Sequence, residues 1–278
     1  MNGLSILLDA IAQPRCIECD APRSTGSGPL CSPCSRNLPW WRAADGCPRC
    51  GSQPCLSPTI GQDVHRDVSP GCAGCLAEGS ALHVCRSLVR YQGSVRRWIP
   101  GFKSARSPFG PSIAIRLAIE HLATELASRV GNETTQRPDL IVSVPVHRRR
   151  RRQRGFNHVD PIACRIACVL DRPWAPNALE RRHDTQSQAK LVGRERHENV
   201  RGAFSATDQL GGAKSIWLVD DVLTTGSTLD SAADALLDAG AVEVRALTLA
   251  ATLPPRWAST GRSAYHPAAA FGRPRGSK

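Results

Sequence analysis

The sequence predicts an α/β domain, a parallel sheet with flanking helices, preceded by a small zinc-ribbon-like Cys-rich module. Three observations carry this. Eight of the twelve cysteines fall in C-x-x-C pairs near the N-terminus. From His83 onward, short apolar runs alternate with stretches of helical periodicity, the pattern of strands joined by crossover helices. One apolar run ends in adjacent carboxylates followed by a turn rich in hydroxyls, and open parallel sheets bind ligands at such strand ends.

Taken in order, "MNGLSILLDAIAQPRC" is mildly apolar but carries Asp9 and lacks a basic start and a cleavage site. It reads as a short helix, not a signal peptide. The cysteines follow. Cys16 with Cys19 and Cys31 with Cys34 form one set; Cys47 with Cys50 and Cys72 with Cys75 form another. Each C-x-x-C turn places two thiolates on one side of a tight loop, and two turns complete a tetrahedron around Zn²⁺ at about 2.3 Å from each sulfur. Interleaved pairing, first with third and second with fourth, is an alternative the spacing leaves open. Cys55 and His65 in the long spacer are further donors. Such pairs without a secretion signal point to structural zinc in a reducing cytosol rather than disulfides.

"HVCRSLVRYQG" reads as a strand and "SVRRWIPGFKSARS" as a short helix and loop. "SIAIRLAIEHLATELASRV" has helical spacing and reaches Gly131, the expected C-cap. "DLIVSVPV" is a buried strand and "HRRRRRQRGFN" a polar loop. "DPIACRIACVL" is a helix with Asp160 as N-cap; Cys164 and Cys168, one turn apart, are expected in the core with Cys85. "SIWLV" is a buried strand, "TLDSAADALLDAG" a helix closed by Gly240 and "VEVRALTLA" a final strand. The organisation expected is a double zinc-binding module over residues 1–80, the α/β domain over 81–253 and a disordered Pro/Arg/Gly-rich tail over 254–278.

No apolar run is long enough to span a bilayer, so a cytoplasmic location is expected. The formal charge of +12 favours anionic partners, namely phosphates, nucleic acid or acidic surfaces.

The chemistry concentrates in "WLVDDVLTTGSTLD". Asp220 and Asp221 mark the end of a strand. Thr224, Thr225, Gly226, Ser227 and Thr228 then enter a helix N-terminus, where unpaired amides and the helix dipole favour phosphate. The lysine of a Walker loop is absent, which disfavours nucleotide hydrolysis. Paired carboxylates beside a phosphate cradle suit vicinal ribose hydroxyls and a Mg²⁺.

"LVDDVLTTGSTL" resembles the PRPP-binding motif of type I phosphoribosyltransferases. With "VPVHRRRRRQRGFNH", "TQSQAKLVGRERHENVRGAF" and the Cys-rich head, the chain is similar to the ComF family from Cys16 to about Ala251. The resemblance implies a zinc-binding head before a type I phosphoribosyltransferase-like domain. It implies that Asp220 and Asp221 hold the ribose hydroxyls of PRPP, that Thr224 to Thr228 hold its 5′-phosphate, and that Ser143, Val144, Pro145 and Val146 receive pyrophosphate. His158 stands where a Gln is expected after "RGFN".

Arg148 to Arg152 are five consecutive arginines, expected to form a mobile lid that closes over pyrophosphate. Arg154, Asn157 and Lys103 are further ligand candidates. Thr185, Gln186, Gln188, Arg194, Arg196 and Asn199 fall where a hood over the acceptor base is expected. Two functional classes follow. A phosphoribosyltransferase would displace pyrophosphate from C1 of PRPP with a nitrogen nucleophile. A binding protein would instead use the zinc head and arginines on single-stranded DNA, with Trp40, Trp41 and Trp98 as stacking candidates, or dock a competence helicase or other DNA-processing protein. The family's link to DNA uptake supports this second class.

Overall fold

A computed structural model describes residues 14–23, 28–41, 47, 49, 80–104, 113–133, 136–182 and 202–252. The expected opening helix, Cys50, Cys55, His65, Cys72, Cys75, the six hood residues and the tail from 254 lie outside the described residues.

The element order is α1 (Ser32–Arg36), β1 (Val84–Arg90), α2 (Val95–Lys103), α3 (Ile113–Glu133), β2 (Leu140–Ser143), α4 (Arg148–Arg154), α5 (Asp160–Leu170), β3 (Trp174–Ala175), β4 (Leu179–Arg181), β5 (Phe204–Ala206), β6 (Ser215–Leu223), α6 (Ser227–Asp238) and β7 (Glu243–Ala251). Five strands form one sheet in the order β1-β7-β6-β2-β3, and every neighbouring pair is parallel. β4 and β5 make a separate antiparallel pair.

Side chains alternate across the sheet, and this sorts the core into two layers. Ile141, Trp217, Val219 and Leu247 face α2, α3 and α5. Leu140, Val142, Ile216, Leu218 and Ala246 face α6, with Leu179 of β4 and Phe204 of β5. The Cys-rich head joins the first layer: Cys16, Leu30, Leu38 and Trp40 belong to the same buried cluster as α3. The head also covers the sheet's edge. Trp41 N–H donates to Leu88 O at 2.9 Å and Arg90 N–H to Pro39 O at 2.6 Å. This occupies hydrogen-bonding groups that an edge strand would otherwise expose. Trp40 is buried under the Arg129 guanidinium, 3.8 Å from the ring centroid, and Trp98 is also buried, so neither is presented for stacking on bases.

Four local expectations need correction. α3 continues through Gly131 to Glu133. Gly131 is there for close approach, since a Cβ would lie 3.0 Å from Leu170. Cys164 and Cys168 are exposed, because the inward stripe of α5 is Ile162, Ala163, Ile166, Ala167 and Leu170. A one-turn spacing fits either face of a helix. Val159, not Asp160, occupies the N-cap of α5. Finally, the arginine run is the helix α4, not a loop. Arginine is a good helix former. His147 caps the start by accepting from Arg149 N–H, and Gly155 closes the end in the left-handed region at φ 84°. Arg148 pairs with Glu180 at 3.1 Å and Arg151 Nη1 donates to Asn177 at 3.3 Å, which offsets part of the repulsion.

Candidate functional site

β6 runs further than its apolar stretch. Its ladder with β7 continues past the carboxylates, through Asp220↔Thr248 to Leu223↔Ala251. Asp220 and Asp221 are therefore successive residues of a paired strand and project to opposite faces. They do not form one ledge.

Asp221 lies on the layer shared with α2 and α5, and is only 4% exposed. Its Oδ2 accepts from Lys103 Nζ at 2.9 Å and His158 Nε2 at 2.6 Å. Lys103 is the last residue of α2, and His158 precedes α5. Burial opposes ionisation of Asp221, but the His158 hydrogen bond and the Lys103 charge override it and hold the carboxyl down at about 2. Asp220 lies on the other layer and is half-buried. Burial first, and then the neighbouring Asp221 charge, push its carboxyl up to about 7. Lys103 and Arg181, the latter on β4, pull the other way. Asp220 Oδ1 accepts the Asp221 N–H at 2.8 Å.

The segment after β2 is braced from within. Asn157 is buried; its Nδ2 donates to Val144 O at 3.2 Å and to Asp160 Oδ1 at 2.8 Å, and its Oδ1 accepts from Val159 N–H at 3.3 Å. Ser143 is fully buried and its Oγ accepts from Trp174 Nε1 at 3.0 Å. Val144 N–H donates to Val219 O at 2.9 Å. Pro145 has no N–H to offer. The side chains of Ser143 and Asn157 are thus hydrogen-bonded within the fold and brace this loop. Arg154 enters the site indirectly, with Nη1 3.4 Å from His158 Nδ1.

Beyond β6, Gly226 adopts φ 84° and α6 begins at Ser227. That left-handed turn needs glycine. Thr224 and Thr225 are exposed, Thr228 is half-buried, and Thr225 Oγ1 lies 3.1 Å from the buried Ser227 Oγ. Hydroxyls and helix amides thus cluster at the same carboxyl edge of the sheet as Asp220.

In the head, Cys16, Cys19, Cys31 and Cys34 come together, with ligand atoms all within 4.8 Å of one another. Tetrahedral zinc with Zn–S near 2.3 Å needs sulfurs about 3.8 Å apart, so the set fits. This selects the first pairing over the interleaved one. Burial raises the Cys16 thiol, but backbone amides of Cys31, Cys19 and Glu18 bring it down to about 6. Cys34 is pushed above the usual thiol range by burial and its sulfur neighbours. Zinc here would supply the charge such a cluster lacks, and four protein ligands would leave no open position, so its part would be structural. Cys47 is buried; its expected partners lie outside the described residues. Among the described residues, no helix is long and apolar enough to cross a membrane.

Two residues that face the carboxylates escaped the sequence. Arg181 left no signal. His158 left one, its departure from "RGFN"-Gln; the break at Gly155 ends α4 between the two residues and the chain returns His158 to within 3.4 Å of Arg154.

No family model matches the chain. It is 31% identical over 239 residues to DNA utilization protein YhgH of Escherichia coli (strain K12), covering 86% of this chain and 97% of that one. It is 26% identical over 238 residues to Competence protein F of Haemophilus influenzae, covering 85% and 96%. A shorter match, 33% over 111 residues, is to Competence protein ComFC of Bacillus subtilis, covering 40% and 43%. Among solved structures, glutamine PRPP amidotransferase from B. subtilis overlays 54% of this chain and 30% of that one, at TM-score 0.37 and 20% identity.

Proposed function

Because this chain belongs to the ComF family, we propose that residues 81–253 form a phosphoribosyltransferase-like unit that binds PRPP, or a related phosphoribosyl compound, with Mg²⁺. The observation that supports this best is one edge of the sheet. There Asp220, the φ 84° turn at Gly226 and the hydroxyls leading into α6 adjoin each other. The 5′-phosphate sits on Thr224 to Thr228 and the α6 amides. Asp220 accepts from the ribose hydroxyls. Lys103, held by Asp221, and Arg154 face the pyrophosphate, whose oxygens carry the Mg²⁺. The relatives' names link the family to competence and DNA utilization, and the role proposed here is in DNA uptake or nucleotide metabolism. Isothermal titration with PRPP and Mg²⁺, against ribose 5-phosphate and inorganic sulfate, tests the reading. Saturable binding that prefers PRPP is expected; heats no larger than those of sulfate would overturn it. Pyrophosphate release with a panel of bases then tests for turnover.

A second reading draws on α4. Arg148 to Arg152 are all exposed, and a cavity of about 470 Å³ is lined by His147, Arg148, Arg149, Arg152 and Gln153. Such a surface suits the phosphates of single-stranded DNA, and binding would weaken steeply as salt rises. A flat salt response removes this reading.

A further inference from the structure

Asp221 is the most enclosed carboxylate of the site, and its Oδ2 is shared by two donors, one at the end of α2 and one in the turn before α5. The partners of His158 define what the ring does. Asp221 can only accept, so Nε2 carries the hydrogen. Nδ1 faces an Arg154 guanidinium N–H, which can only donate, so Nδ1 is the acceptor. The imidazole is 6% exposed and closes a line from Arg154 through His158 and Asp221 to Lys103. That line joins α4 to the end of α2 across the carboxyl edge of the sheet. Asp160, at the start of α5, is the other charged group acting on the ring.

We propose that His158 is a positioning residue: as a donor–acceptor bridge it aims the Asp221 carboxylate at Lys103 and steadies Arg154, so that two cations are presented together to an anionic ligand. This assigns Asp221 to orientation and leaves Asp220 as the carboxylate that meets the sugar, which divides the work of a pair that looks symmetric in sequence. It rests on the phosphoribosyl reading for the identity of the ligand, but not for the geometry. A glutamine side chain offers the same two groups, an amide N–H for Asp221 and a carbonyl oxygen for Arg154. The Gln expected at this position can therefore do the same task, and His158 replaces it without changing the pattern of donors and acceptors.

The test compares the wild type with His158→Ala, His158→Gln and Lys103→Met in the full zinc-loaded chain. The first readout needs no ligand: the rate at which Lys103 reacts with an acylating reagent, followed by peptide mass spectrometry. His158→Ala should raise that rate several-fold, and His158→Gln should leave it near the wild-type value. The second readout is affinity for PRPP–Mg²⁺ and for inorganic pyrophosphate. His158→Ala should weaken both by about tenfold, the scale of one hydrogen bond to a charged group, and His158→Gln should recover most of it. In the Lys103→Met background the same His158→Ala change should have much less effect. The proposal is overturned if His158→Ala folds normally and moves neither readout, or if Gln fails to rescue. If the wild type binds no PRPP while Lys103 reactivity still follows the imidazole, the phosphoribosyl reading falls and the positioning role stands.

Discussion

Replacing Asp220 by Asn should stabilise this protein while removing its proposed sugar contact. The carboxyl is carried from its ordinary 3.8 up to about 7 by burial and by the charge of Asp221. Forcing it to ionise in the folded state at pH 8 then costs about 4 kcal/mol, at about 1.4 kcal/mol per tenfold change in ionisation. Asp220 is only half-buried, so solvent screening lowers the expected gain to about 1–3 kcal/mol. Asn preserves an Oδ1 acceptor for the Asp221 N–H. The sign follows from linkage. An acid whose folded pKa lies above its unfolded value supports stability at low pH, and that support is lost as pH rises through the folded value. Asp220→Asn and wild type should therefore be nearly equal below pH 3.8, diverge between pH 3.8 and about 7, and keep a constant gap well above pH 7. Urea unfolding at each pH, with midpoint and slope fitted separately, measures this. A gap that does not change with pH, or a variant less stable than wild type at pH 8, refutes the reasoning. The same variant should lose stabilisation by PRPP and Mg²⁺.

Other perturbations should act with different signs. Asp221→Asn should cost about 2 kcal/mol at pH 7, because a carboxylate held at about 2 adds stability that is lost only as pH falls from about 4 toward 2; urea titrations at pH 7 and 3 should show the gap narrowing. Asn157→Ala leaves Val144 O and the Val159 N–H without their partner and should cost about 2 kcal/mol in urea unfolding, with the effect independent of pH between 6 and 8. Stripping zinc with a strong chelator should lower Tm of the whole protein in one calorimetric transition, since Cys16 and Leu30 share a core with α3; two separate transitions would show that the head melts alone.

Part of this protein is written locally in its sequence. Paired C-x-x-C turns, the alternation of apolar runs with helical periods, and the passage from Asp220 through Gly226 into α6 each depend on neighbours a few residues away. Such patterns survive without knowledge of the fold. The partners of the carboxylates do not. Whether Asp220 and Asp221 act together depended on how far the β6–β7 ladder extends, and that is a matter of register with Thr248 and Ala251. Once the ladder passes both residues, the pleat turns them to opposite layers and gives them opposite acidities. Asn157 and Ser143 stand out in sequence because they adjoin a recognisable motif, but their partners Val144, Asp160 and Trp174 come into view only in the fold. The arginine run read as a mobile loop because charge repulsion is visible in sequence, whereas Glu180 and Asn177, which offset it, come from a distant segment. The sequence by itself determined the class of fold, the zinc-type head and where a phosphate site could form, since each is a short-range consequence of residue type and spacing. Only the tertiary structure decided which polar groups remain available there, because hydrogen bonds across layers are set by packing and not by order along the chain.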